Sequence, residues 1–209
     1  MTAKPMLYHC ADARSLRCLW AVEETGFECD LTLLPFPPRF HAPEYKQVNP
    51  LGTVPAWIEG ERMMTESVAI CQRIALGTPL EVMPSEPDYF DYLNWLHRSD
   101  ATLTFPLAVM IRYTRVEQGE RRLAQAVEDY KGFFLGRAKS VEATLADGRE
   151  WLVADRFTIA DICVGYALFL ASTLGLGAEL GERCRVYLAR LEMRRGFKAA
   201  RERQKGEST

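Results

Sequence analysis

Asn49-Pro50-Leu51-Gly52-Thr53-Val54-Pro55-Ala56-Trp57 leads into a short alternating pair of segments and then into Thr65-Glu66-Ser67. Val54–Ile58 and Arg62–Met64 flank Glu59-Gly60-Glu61, whose glycine supplies the positive φ of a tight turn, so the two segments read as a β-hairpin. Pro55 falls at the start of a strand, where its missing N–H must be tolerated. Either a cis Val54–Pro55 bond or an ordinary trans proline on an edge strand satisfies that position. A cis turn leaves the Val54 amide and carbonyl free to pair with an extended ligand. Thr65-Glu66-Ser67 then opens a helix over Glu66–Leu76, closed by Gly77. Its first turn is either a simple acidic N-terminus or a grip for an α-amino-acid group: helix amides for a carboxylate, the Ser67 hydroxyl as donor, Glu66 for an ammonium.

Outward from this hairpin, the preceding residues read β then α then β. Met6–Tyr8 is strand-like, Ala11–Thr25 carries Leu16, Leu19 and Trp20 at helical spacing and ends at Gly26, and Cys29–Leu34 alternates. Pro35, Pro37, Pro38 and Pro43 then impose an irregular loop. Nothing after residue 77 reads as a strand. Thr78–Asp88 carries three prolines, as a linker does, and long helical patterns follow: Tyr89–Arg115 interrupted at Pro106, Glu120–Ala146, Thr158–Leu174 and a basic amphipathic end at Glu182–Gln204. The expected fold is therefore α/β followed by all-α: residues 1–77, a linker at 78–88, and a helical domain at 89–209. Phe157-Thr158-Ile159-Ala160-Asp161-Ile162 reads as a capped helix start, with Thr158 and Asp161 as reciprocal partners.

Composition restricts the chemistry. With 48% hydrophobic and 26% charged residues and a formal charge of −2 over 209 residues, the chain expects a sizeable core and has no cationic excess for phosphates or anionic lipid. Nucleic acid and membrane are not expected partners. The apolar stretch Ile162–Leu176 falls short of the roughly 20 residues that span a bilayer. Residues 1–7 lack the pattern of a signal peptide, so the cytoplasm is the expected location. Six cysteines show no C-x-x-C spacing and do not cluster with His9, His41 or His97, so neither a metal site nor a dithiol centre is expected.

Three motifs, Asn49–Pro55, Thr65–Ile70 and Phe157–Asp161, occur in an order and at separations in which the chain resembles the cytosolic glutathione S-transferase (GST) family, of the bacterial type. That resemblance implies a thioredoxin-like N-terminal domain that binds glutathione and an all-helical GST C-terminal domain that supplies the pocket for an electrophile, with the active site in the cleft between them. It makes Pro55 cis and Val54, with Thr53 beside it, the main-chain partner of the cysteinyl unit. Glu66 and Ser67 take the γ-glutamyl end. The glycine carboxylate falls to the loop holding Arg39, His41, Lys46 and Gln47, with His41 the first choice. Trp95, Arg98, Thr102 and Phe105 are the expected electrophile pocket, against the reading that such a stripe is core. Asp100 reaches glutathione across the interface of a homodimer.

Thiol activation falls to Tyr8–Arg17. Holding a thiol that titrates near ~8.5 ionised at neutral pH requires about two pKa units, or ~2.7 kcal/mol. A helix N-terminus supplies up to roughly 2 kcal/mol and a charged hydrogen bond about 1.5–3 kcal/mol. Asp12 stands where serine-type members carry serine, and Arg14 where several bacterial members carry cysteine. Ser15 is the expected donor, with Arg14 adding a guanidinium; Cys10 as a disulfide-forming thiol, Tyr8, and backbone groups alone are the alternatives. Asp12 opposes a thiolate and is expected to cap the helix. The expected activity is conjugation of glutathione, as co-substrate and without a prosthetic group, to a small hydrophobic or aromatic electrophile, in a detoxifying role. The alternatives are glutathione-dependent lyase, ether-cleaving, dehalogenating or thiol-disulfide chemistry, and a non-catalytic glutathione- or ligand-binding protein.

Overall fold

The computed structural model describes residues 4–206, so the outermost three residues at either end of the two expected domains lie outside the described residues. Among the described residues the chain divides into two compact units, residues 4–81 with 192–206, and residues 82–191. The break after Glu81 falls within the expected linker. The closing segment, expected to belong with the helices, groups instead with the first unit.

The first unit is a thioredoxin-like layer built on four strands: β1 (Met6–His9), β2 (Asp30–Leu33), β3 (Ala56–Glu59) and β4 (Arg62–Met64), in the order β2-β1-β3-β4. β1 runs parallel to β2, and β3 is antiparallel to both β1 and β4. The strands are short. Gly60, at φ +61°, makes the β3–β4 turn that the Glu-Gly-Glu triplet anticipates. Helix α1 (Leu16–Thr25) joins the parallel pair, and α3 (Ser67–Ala75) follows the hairpin. Between β2 and β3 lie the one-turn α2 (Pro38–His41) and a 3-10 turn at Pro43–Gln47.

Every residue from Leu16 to Val22 is buried, a wider face than one apolar stripe requires. The reason is that α1 is packed by α3 and also by α9 (Arg195–Arg203), the last helix of the chain. Arg194 makes a bidentate pair with Glu24 at 2.8 Å through both Nε and Nη2, and Arg203 pairs with Glu23 at 2.8 Å. The Trp20 and Phe197 rings meet edge-on at 4.9 Å.

The second unit is helical: α4 (Tyr89–His97), α5 (Phe105–Ile111), α6 (Ala124–Thr144), α7 (Ile159–Ala171) and α8 (Glu182–Glu192). Wide π-type turns at Arg98–Thr104 and Arg112–Val116 flank α5. Pro106 sits in the first turn of α5 directly after the wide π-type turn, so the helical backbone widens before the proline rather than being interrupted at it. All thirteen residues of α7 are buried, making it the centre of this unit. The run Ile159–Glu179 is long and apolar enough to cross a membrane, but 78% of its most apolar window is buried inside the chain. The expected capping box is present: Thr158 Oγ1 accepts from Ala160 N–H, and Asp161 accepts from Thr158 N–H at 2.8 Å. The basic end expected as one helix is two, because Arg194 is extended (φ −62°, ψ 142°) between α8 and α9.

Candidate functional site

The hairpin delivers the central motif. Its register pairs Trp57 with Met64 and Ile58 with Met63. The pairing ends at Trp57–Met64; Val54 and Pro55 lead into β3, and Glu66 and Ser67 follow β4 at the start of α3, so both motifs lie at the open end of the hairpin. The Val54–Pro55 bond is cis, with Val54 half-buried against the cluster formed by Ala42, Tyr45 and Ala56. The carbonyl of exposed Thr53 is held twice, by the Tyr45 hydroxyl at 2.9 Å and the Asn49 amide at 2.8 Å. Asn49 is fully buried and also accepts from Leu51 N–H at 3.1 Å, which closes the turn. Gly52 completes it: φ is +61°, and a Cβ there would stand 2.9 Å from Arg39 Cβ. The conformation at Val54 is thus set by Tyr45 and Asn49 from behind.

At the start of α3, Glu66 is exposed with extended backbone and makes no cap of its own, so its carboxylate is available to a cationic group. Ser67 is buried, and its hydroxyl accepts from Arg17 Nη1 at 2.9 Å while its carbonyl accepts from the Cys18 thiol at 3.5 Å. Arg17 is itself fully buried on α1. His41 ends α2 in solvent.

The loop from β1 to α1 is braced from within. Ser15 is fully buried; its hydroxyl accepts from Cys10 N–H at 3.3 Å and lies 3.5 Å from the Cys10 carbonyl. Cys10 is also fully buried, and burial pushes its thiol up to about 12, the reverse of what an acidic nucleophile needs. Its sulfur lies 3.6 Å from the Pro35 carbonyl. Arg14 is half-buried, and Tyr8 stacks at 5.3 Å on Tyr45, whose hydroxyl burial pushes up to about 12. Asp12 adopts φ +57° and does not cap α1, whose N-terminus carries no side-chain cap; its carboxylate is taken by Arg201 and Gln204.

Residues 4–75, which contain this whole arrangement, match the family of the glutathione S-transferase N-terminal domain. Residues 4–75 therefore form a glutathione S-transferase N-terminal domain. The chain is 24% identical over 179 residues to glutathione S-transferase 3 of Schizosaccharomyces pombe, covering 79% of this chain and 74% of that protein. Among solved structures it is similar to a glutathione S-transferase from Xylella fastidiosa, with a TM-score of 0.84 and 22% identity over 96% of this chain and 98% of that one. It is similar too to the yeast prion protein Ure2p in complex with glutathione, with a TM-score of 0.80 and 22% identity over 96% and 99% of the two chains. At such identities the structural likeness establishes the transferase fold.

In the helical unit, the residues expected to line an electrophile pocket do not share one environment. Trp95 is buried, with the Arg98 guanidinium 4.7 Å from its ring centroid. It lines a cavity of about 330 Å³ with Asp91, Asp147, Arg149 and Leu152. Thr102 is half-buried, whereas Phe105 is 49% exposed and meets the Tyr130 ring at 6.1 Å. Asp100 is half-buried within the first π-type turn. Among the described residues no group of acidic, histidine and cysteine side chains has metal-site geometry. Sequence reasoning missed Tyr45, Arg17 and Gln204. Only Arg17 carried a local signal, as a cation amid the apolar positions of α1.

Proposed function

We propose that the first unit binds glutathione and that the protein is a glutathione transferase. The observation that carries this reading is that Val54-Pro55, which leads into β3, and Glu66-Ser67, which opens α3 directly after β4, flank the open end of one hairpin inside a region that matches the glutathione S-transferase N-terminal domain. The Val54 main chain pairs with the cysteinyl unit, as one more strand would. The α-carboxylate of the γ-glutamyl end lies at the positive end of α3 beside Ser67, and its ammonium faces Glu66. Thr53 lies alongside the cysteinyl unit, and His41 receives the glycine carboxylate.

The thiolate is stabilised by the N-terminal field of α1 and the Arg14 guanidinium, which together match the ~2.7 kcal/mol needed for a two-unit shift. Ser15, whose hydroxyl is turned onto the Cys10 backbone, braces the loop, and buried Cys10 takes no part in disulfide chemistry. The sulfur attacks an electrophilic carbon, the C–S bond forms, and the leaving group departs with its bonding electrons. Trp95, Arg98, Thr102 and Phe105 belong to the unit assigned to the hydrophobic or aromatic co-substrate. The reading extends to a cytoplasmic homodimer. A second reading, glutathione binding without conjugation, is favoured by the acidic Asp12 on the thiol-handling loop.

Titration calorimetry tests the site. Glu66→Ala is expected to weaken glutathione binding at least about tenfold, the worth of one charge-assisted hydrogen bond. Equal affinity in the variant, or no binding by the wild type, contradicts the site. Turnover of an aryl halide with glutathione separates conjugation from binding alone.

A further inference from the structure

Asp12 lies in the loop that handles the thiol, two positions from Arg14 and three from Ser15. A bare carboxylate there would cancel the field that a thiolate needs. In the structure it is taken up by the far end of the chain. Arg201 Nη1 forms an ion pair with Asp12 Oδ1, and Gln204 Nε2 donates to the same oxygen at 2.7 Å. Gln204 Oε1 accepts from the Asp12 main-chain N–H at 3.1 Å, so one side-chain amide clasps both ends of the residue. The orientation of that amide follows from its partners, since an N–H only donates and a carboxylate only accepts.

The same Oε1 lies 3.1 Å from His9 Nε2, which must therefore be the protonated nitrogen of a neutral ring. His9 is fully buried, and burial holds it down to about 4. Several other ionisable groups on the elements meeting here are engaged elsewhere or exposed. Cys10 is a buried thiol pushed up to about 12; Glu23 and Glu24 are paired with Arg203 and Arg194, and Arg17 donates to Ser67. On α9 Glu202 is paired with Lys205, and Arg195 and Lys198 are exposed. Arg201 thus sets one positive charge against the Asp12 carboxylate, and its removal takes that charge away.

We propose that Arg201 and Gln204 are positioning residues for the thiol: by neutralising and clasping Asp12 they keep its carboxylate from opposing the field of the α1 N-terminus at the sulfur. The proposal rests on the transferase reading and adds the last helix of the chain to that site.

The test is the ultraviolet band of bound glutathione thiolate, followed against pH in the wild type, Arg201→Gln, Arg201→Lys, Asp12→Asn and the Arg201→Gln/Asp12→Asn double variant. Arg201→Gln is expected to raise the bound thiol pKa by roughly 0.5–1 unit, the effect of one uncompensated charge several ångströms away. Arg201→Lys keeps the charge and the wild-type value, and the double variant returns to the Asp12→Asn value. A purely structural role for Arg201 would not be rescued at Asp12. Should Arg201→Gln fail to fold, Gln204→Glu sets a second carboxylate against Asp12 and is expected to shift the thiol in the same direction. No shift in the single variants, or no rescue in the double, overturns the proposal while a depressed wild-type thiol keeps the transferase reading standing. A wild-type thiol at its free value overturns both.

Discussion

His9 shows how one residue couples the fold to pH. Its ring is fully buried at the end of β1, and burial lowers its pKa to about 4, against ~6.5 in an unfolded chain. Above ~6.5 neither state binds the proton, and the residue adds no pH dependence. As pH falls from ~6.5 to ~4 the unfolded chain takes up a proton that the folded one refuses, so stability declines by ~3 kcal/mol in total and the decline stops below ~4. Chemical denaturation across this window is expected to show a shallower slope for His9→Phe than for the wild type. Parallel slopes would contradict a neutral buried ring.

At the scale of elements, helix ends and helix contacts make opposite demands on small residues. Asp161 is fully buried and accepts from four donors: Leu152 N–H at 3.0 Å, Thr158 N–H at 2.8 Å, the Thr158 hydroxyl at 3.1 Å and the Tyr187 hydroxyl at 2.6 Å. Asp161→Ala orphans several buried donors at ~1–3 kcal/mol each, so a loss of at least ~3 kcal/mol in urea denaturation is expected. A loss under ~1 kcal/mol, the worth of an ordinary cap, would contradict this role. Gly196 in α9 runs against helix propensity, where alanine gains about 1 kcal/mol. A Cβ there would meet Glu24 Cδ at 2.5 Å, and that carboxylate cannot swing away without losing Arg194 and the Trp20 indole, which donates at 2.9 Å. Gly196→Ala is therefore expected to lower the Tm; a rise would show that Glu24 yields freely. The capping box was legible in the sequence because its parts lie within five residues. The division of the basic end into α8 and α9 was not, since neither proline nor glycine stands between Glu192 and Arg195 and the break serves contacts with α1.

Across the whole molecule, legibility follows separation along the chain. The hairpin, its turn glycine and the motifs at Val54–Pro55 and Glu66–Ser67 are local, so spacing revealed them. The bond from Arg17 to Ser67 spans 50 residues, and the clasp of Gln204 on Asp12 spans 192, and no window of sequence contains either. Ser15 was legible as a hydroxyl in the first turn, but only packing turns it onto Cys10. The same distance hides the unit structure: the change of pattern near residue 78 marks where the strands end, yet residues 192–206 return to the first unit because α9 covers the face of α1 that α3 leaves open. The first unit is proposed to bind glutathione and to ionise its thiol. The most direct measurement is the pKa of that thiol when bound to the wild-type protein, read from its ultraviolet thiolate band. The expected value is near ~6.5, about two units below the free thiol; a bound thiol that still titrates near ~8.5 would contradict thiol activation in this unit.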